Sequence, residues 1–182
     1  MNLKLISSLI ATVALTACTT FRDIPPNSNI TEVNKILGNP QHSCPISSDG
    51  SQYYLWGSAS AGDVVGAQVN ASGTVGPFTE VHTEKSFARL DTGTWTQQDV
   101  LCSFGHPYEI ERLGFGEKRA LIWTYRYEKD GTWPALMHVY FGGDETKVTH
   151  RHSGPDPMYE PDWGWPYPFW GFGVGFGFGF GF

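Results

Sequence analysis

The chain has 182 residues, with 12 basic and 18 acidic side chains and a formal net charge of −6. No Lys/Arg stripe or cluster stands out, so the footprint of a nucleic-acid binder is absent, and an acidic chain gains nothing from anionic lipid headgroups. Aromatic residues make up 15% of the chain, but many crowd in after position 153, where they do not count towards a core.

The N-terminus carries Lys4 and then an apolar run from Leu5 to Ala17. One positive charge, a short apolar stretch and small residues before a break form the layout of a signal peptide. The run falls short of the ~20 apolar residues that a membrane helix needs. Leu15-Thr16-Ala17-Cys18 resembles the lipobox of bacterial lipoproteins. That resemblance implies a signal peptide over 1–17, lipid (palmitate-type acyl chains) on Cys18, and several chains at the new terminus, as stable anchoring requires. Thr19, in place of Asp, implies the outer membrane and its periplasmic face. The plainer readings are an ordinary cleaved signal or an N-terminal anchor. A mature chain from Cys18 has 165 residues (182 − 17) and, without Lys4, 11 basic against 18 acidic side chains, a net −7.

Residues 18–28 read as a lipid-anchored tether, in which Pro25-Pro26 favours an extended spacer. A first unit, 29–90, opens at Asn29 as N-cap with Glu32 at the N3 position. Val33, Ile36 and Leu37 give an i, i+3, i+4 apolar stripe. Gly38 stops the helix and Pro40 prevents its continuation. A loop carrying Cys44 then leads to a strand around Trp56, a second strand from Val64 to Ala71, a turn at Ser72-Gly73 and a third strand from Thr74 to Val81.

A second unit, 91–152, repeats the pattern 67 positions on (105 − 38, 107 − 40, 123 − 56). Thr96 is the N-cap with Asp99 at N3. Val100, Leu101 and Phe104 form the apolar face, and Gly105 and Pro107 end the helix. Tyr108 to Leu113 alternates as a half-exposed strand, and Ala120 to Tyr127 puts Leu121, Trp123 and Tyr125 on one face. Strands over Leu136–Phe141 and Lys147–His152 complete an antiparallel meander. Self-similarity at a fixed period sets architecture, and the expected fold is α+β: two tandem helix-plus-antiparallel-meander units, with Trp56 and Trp123 plugging equivalent positions.

Of three cysteines, Cys18 goes to lipid. Cys44 and Cys102 either pair in the oxidising periplasm or remain two free thiols. Cys102 lies off the Val100/Phe104 face, a position from which it could face the sibling unit. His150 and His152 share one side of a strand and are the metal-like feature, with His138 or His82 as a third ligand; a polar strand end is the plainer reading, because zinc wants three or four ligands. Glu109 and Glu111 share a strand face and read as solvated. No fingerprint of a hydrolase, nucleotide binder or zinc protease is present, so the expectation is a non-enzyme without cofactor.

The second unit, with Gly93-Thr94-Trp95-Thr96 through Val100, Phe104-Gly105-His106-Pro107 and Trp123-Thr124-Tyr125, resembles the SmpA/OmlA (BamE-like) family of outer-membrane lipoproteins. The first unit keeps Val33, Leu37-Gly38-Asn39-Pro40 and Trp56. The family pattern has one residue fewer between Gly93 and Val100, and Met where Trp95 stands. The resemblance implies helices on a three-stranded antiparallel sheet and a non-catalytic role beside the machinery that inserts outer-membrane β-barrels. The tandem arrangement is also similar to β-lactamase inhibitory proteins. The expected roles are therefore an envelope assembly module with an envelope protein partner or, alternatively, a periplasmic inhibitor or sequestering protein whose sheet face presents Trp95, Trp133 and Tyr127.

Residues 153–182 form a Pro-, aromatic- and Gly-rich tail. Phe172, Val174, Phe176, Phe178, Phe180 and Phe182 alternate with Gly. It reads as a disordered low-complexity segment, as a strand that augments another sheet, its terminal Phe resembling the end signal of outer-membrane barrels, or as a self-association element.

Overall fold

The computed structural model describes residues 20–116 and 119–159. Cys18, the signal segment before it and the tail from 160 lie outside the described residues, and so do the readings placed on them. Helix α1 (Ile30–Leu37) starts at Asn29, whose side chain accepts from the Thr31 amide at 2.9 Å. Helix α3 (Gln97–Phe104) starts in a reciprocal capping box. Thr96 Oγ1 accepts from the Asp99 amide at 3.2 Å, and Asp99 Oδ2 accepts from the Thr96 amide at 2.8 Å.

The two helices are offset by 67 residues at both ends (97 − 30 and 104 − 37). Each ends on a glycine in the same unusual conformation: φ 81° and ψ −173° at Gly38, φ 78° and ψ −164° at Gly105. That combination is open essentially to glycine alone. The chain therefore leaves each helix straight into extended backbone, and not through the common left-handed cap.

Helix α1 feeds an antiparallel sheet of β1 (His42–Pro45), β2 (Gln52–Ser58), β3 (Asp63–Val69) and β4 (Thr79–Glu80), paired in that order. Helix α2 (Glu84–Phe87) runs into a 3-10 turn, Ala88–Asp91, and then α3. A second antiparallel sheet follows in the order β5 (Glu109–Leu113), β6 (Ala120–Lys129), β7 (Trp133–Phe141), β8 (Val148–Pro155). The fold class is thus α+β, with two four-stranded antiparallel sheets among the described residues. His42 pairs with Leu55, whereas Glu109 pairs with Thr124. An offset of 67 throughout would set Glu109 opposite residue 122 (55 + 67), so the second sheet is slipped by two residues. A slip of two preserves which side chains face the core.

Trp56, Val65, Ala67 and Val69 pack with Val33 of α1, and the Trp56 Nε1 donates to Asn34 Oδ1 at 2.9 Å. The reverse face of the first sheet buries Leu55, Val64 and Val81. Trp123, Tyr125 and Tyr127 of β6 pack with Val100 and Phe104 of α3. Phe87 and Leu90 join this second core, although they fall within the stretch read as the first unit.

Several expectations are corrected. Residues 20–28 are not a free tether: Ile24 is buried in the first core, Phe21 packs against it, and Val75 N donates to Ser28 O at 2.9 Å. Their two apolar side chains gain more from the core than an extended spacer would from solvent. Cys44 lies on β1, not in a loop. The strand expected over Thr74–Val81 is reduced to bridges at Thr74 and Val75 and the short β4, because Gly76-Pro77 interrupts it and proline has no amide to donate. Ile36 is 40% exposed. Strand β8 continues to Pro155, past the expected end at His152. Every residue of β5 is exposed, since it is an edge strand rather than a half-covered one.

Candidate functional site

Two regions collect polar and exposed apolar groups: the junction between the sheets and the open edge at β5. The junction begins with β1. His42 and Cys44 are two residues apart and point to one side of the strand. On α3, Val100 and Phe104 turn into the second core, which leaves Cys102 facing β1. The structure joins Cys44 to Cys102 in a disulfide with Cα atoms 5.6 Å apart. His42 Nε2 lies 3.3 Å from Cys44 Sγ. Gln98 Nε2, one turn from Cys102, lies 3.1 Å from its sulfur and 3.7 Å from that of Cys44.

His106 follows the Gly105 helix stop. Its ring meets the His42 ring edge-on at 5.5 Å, and its amide donates to Gln41 Oε1 at 3.3 Å. Burial, and secondarily the neighbouring His106, hold the His42 pKa below its ordinary value. Among the described residues, the ligand atoms of His42, Cys44 and Cys102 all lie within 4.8 Å of one another.

Further along the junction, His82 is buried, with one ring nitrogen 2.8 Å from the Phe104 carbonyl. Burial pushes its pKa down, so the ring is kept neutral. Arg126 of β6 donates to the Ser60 carbonyl at 2.8 Å, stacks on the Tyr108 ring at 4.0 Å and places Nε 2.8 Å from Asp156 Oδ2. Both ions of that pair are buried. Removing one would strand a charge, so the pair ties the first hairpin to the end of β8. A cleft of about 1050 Å³ opens beside it, lined by both sheets and by Phe21 and Arg22.

Among the described residues the sequence-predicted metal candidates do not gather into a group of three ligands. His152 stacks across the strand pair on His138 with centroids 6.4 Å apart, while His150 stacks on Tyr140 at 4.1 Å. His82 sits in the junction, apart from both. Glu109 and Glu111 are exposed on β5, as a solvated face requires. Of the aromatic trio expected on a binding face, Tyr127 is buried. Trp95 is half-buried and donates from Nε1 to the Arg89 and Thr92 carbonyls at 3.1 and 2.8 Å. Trp133 alone stays open, at 69% exposure.

The exposed apolar edge was missed by the sequence reading. Ile110 is 53%, Leu113 56% and Phe115 95% exposed. Alternation from Tyr108 to Leu113 signals a strand but not its place in the sheet. The signal that was there is the pair of charges, Glu111 and Arg112, flanked by the glycine turn at 114–116.

No protein-family model and no curated protein matches the chain. A crystal structure titled "putative beta-lactamase inhibitor protein", from Streptococcus mutans, aligns with 14% identity over 70% of this chain and 82% of that one, at a TM-score of 0.30. Similarity at that level carries neither fold nor partner across. Among the described residues no helix is long and apolar enough to cross a membrane.

Proposed function

We propose that the protein is a non-catalytic interaction module of the cell envelope, held through Cys18 on the periplasmic face of the outer membrane and serving envelope assembly or maintenance, β-barrel insertion included. The observation that carries this reading is β5. Among the described residues it is an edge strand of a four-stranded antiparallel sheet, exposed along its whole length and bearing Ile110 and Leu113. Proteins usually blunt such edges. Here Glu109, Glu111 and Arg112 place charges along the edge, while Ile110 and Leu113 stay exposed among them; such an edge suits the addition of a selected partner strand, in which backbone hydrogen bonds supply affinity and alternate side chains supply selectivity. The motif resemblance to SmpA/OmlA proteins points the same way.

A photo-crosslinking residue at Ile110, with one at exposed Lys35 as control, tests the reading in intact cells. The expected result is one prominent adduct with an outer-membrane protein from position 110, weakened by Leu113→Lys. Identical adduct patterns from both positions, in cells whose outer membrane is unaffected by deletion of the protein, would reject it. Cys18→Ser is expected to release the protein from the membrane.

A second reading, an inhibitor or sequestering protein for a periplasmic enzyme, is favoured by Trp133. It stands exposed beside Tyr159 on a shallow groove of about 410 Å³, and a large aromatic residue of this kind is a common binding anchor. An inhibitor would silence its enzyme at one equivalent, and Trp133→Ala would relieve the block.

A further inference from the structure

We infer that the Cys44–Cys102 bond conceals a zinc site, which reduction opens. The ligands are the two thiolates of Cys44 and Cys102, the imidazole of His42, and His106 as the fourth. A disulfide needs two cysteines and nothing more. Here a third ligand of a Cys2His2 centre, His42, already stands with the two sulfurs, and a second histidine, His106, lies beside it. His42 Nε2 stands 3.3 Å from Cys44 Sγ, and the ligand atoms of His42, Cys44 and Cys102 already fall within 4.8 Å of one another. His106 lies next to His42 at 5.5 Å between ring centroids.

Two sulfurs on one tetrahedral zinc, each at 2.3 Å, stand about 3.8 Å apart. The sulfurs therefore need only part to that distance, between Cα atoms 5.6 Å apart. Gln98 supplies the outer shell: its amide nitrogen, 3.1 Å from Cys102 Sγ and 3.7 Å from Cys44 Sγ, donates towards sulfur and steadies a thiolate, as outer-shell groups of metal sites do. The ligands come from both halves of the molecule, so zinc would replace the disulfide as the staple between them.

The chemistry balances in two steps. A dithiol donor delivers two electrons and two protons to the Cys44–Cys102 bond and leaves as its own disulfide. Zinc then displaces both thiol protons and gains two Zn–S bonds and two Zn–N bonds. In the oxidised protein neither sulfur is a thiolate, and the site is closed to metal.

The test uses the full chain carrying Cys18→Ser, which leaves Cys44 and Cys102 as its thiols. It is reduced with a phosphine, freed of excess reductant, and titrated with Zn²⁺ by calorimetry and with Co²⁺ by absorption. The expected result is one equivalent of either metal, thiolate-to-cobalt charge-transfer bands with tetrahedral ligand-field bands, and no uptake by the oxidised chain. His42→Ala and His106→Ala, which keep both cysteines, should each weaken binding by about tenfold or more. Zinc should also raise the melting temperature of the reduced protein, and do so far less in His42→Ala. The proposal is overturned if the reduced chain takes up no stoichiometric metal and zinc leaves its melting unchanged, whether or not reduction loosens the fold. It is equally overturned if His42→Ala binds as tightly as the parent.

Discussion

The first sheet packs Val33, Val65, Ala67, Val69 and Val75 around Trp56, whereas the second packs Phe87, Phe104, Trp123, Tyr125, Tyr127 and Phe141 together. Strands β2 and β3 have seven residues each and β4 has two; β6, β7 and β8 have ten, nine and eight. Aromatic side chains bury 150–250 Å² each and add ring–ring geometry, as in the stacked Phe87 and Phe104 rings at 4.7 Å. The second half thus has a wide aromatic core of its own. The first half has a smaller core of mostly aliphatic side chains around Trp56, edged by Phe21, Tyr54 and Phe78, and its reverse face at Leu55 and Val64 lies on the side from which Cys44 reaches α3. Helices of equal length with the same glycine stop therefore lead into halves of unequal self-sufficiency. The junction is what the weaker half depends on.

That comparison can be broken most directly at the staple. A disulfide across 58 residues of sequence is expected to contribute about 4 kcal/mol through the unfolded chain. Cys102→Ser should remove that amount in denaturant unfolding and loosen the first sheet before the second, read by hydrogen exchange at β2 and β6. Uniform loss of protection would show that the halves do not differ. Core truncation should be similarly large in the second half. Phe87→Ala is expected to cost about 3–5 kcal/mol, against about 2 kcal/mol for Val33→Ala, which removes less buried hydrocarbon.

The glycine stops give a finer contrast. Both Gly38→Ala and Gly105→Ala force a side chain into a region costing about 1–3 kcal/mol. A Cβ at Gly38 meets nothing within 4 Å, while one at Gly105 comes within 3.0 Å of the Gln41 side chain. Gly105→Ala should therefore be the more damaging, and equal unfolding midpoints would refute this.

The pH response reports on the junction itself. Burial holds His82 below its ordinary value near 6.5, so between the two values the unfolded chain binds the extra proton. Stability is then complete above about pH 6.5 and falls as pH drops through that window. His42 and His138, both lowered mainly by burial, add in the same direction. The melting temperature should fall on acidification, and less steeply in His82→Gln. The smallest effect is expected at the edge: Ile110→Lys should change stability by no more than about 0.5 kcal/mol while reducing partner crosslinking. A large loss of stability would mean that β5 is a core element and not a docking edge.

Much of this was written in local residue chemistry. Val100 and Phe104 spaced for one helix face, Thr96 with Asp99, Gly105 at a conformation barred to side chains, and Leu121, Trp123 and Tyr125 alternating on a strand each declare themselves within a few residues. Steric limits and periodicity act over that range. Other features needed the whole chain. The two-residue slip between the sheets, the capture of Phe87 by the second core, the exposure of Ile110 at an edge and the meeting of His42, Cys44, Cys102 and His106 depend on which surfaces come together. No local pattern specifies that. The sequence alone determined where the recurring Gly-x-Pro stops and tryptophans fall. The tertiary structure decided that the surface beside each stop, rather than the stop itself, is where the chemistry collects, because residues far apart in the chain become neighbours only when the two halves dock.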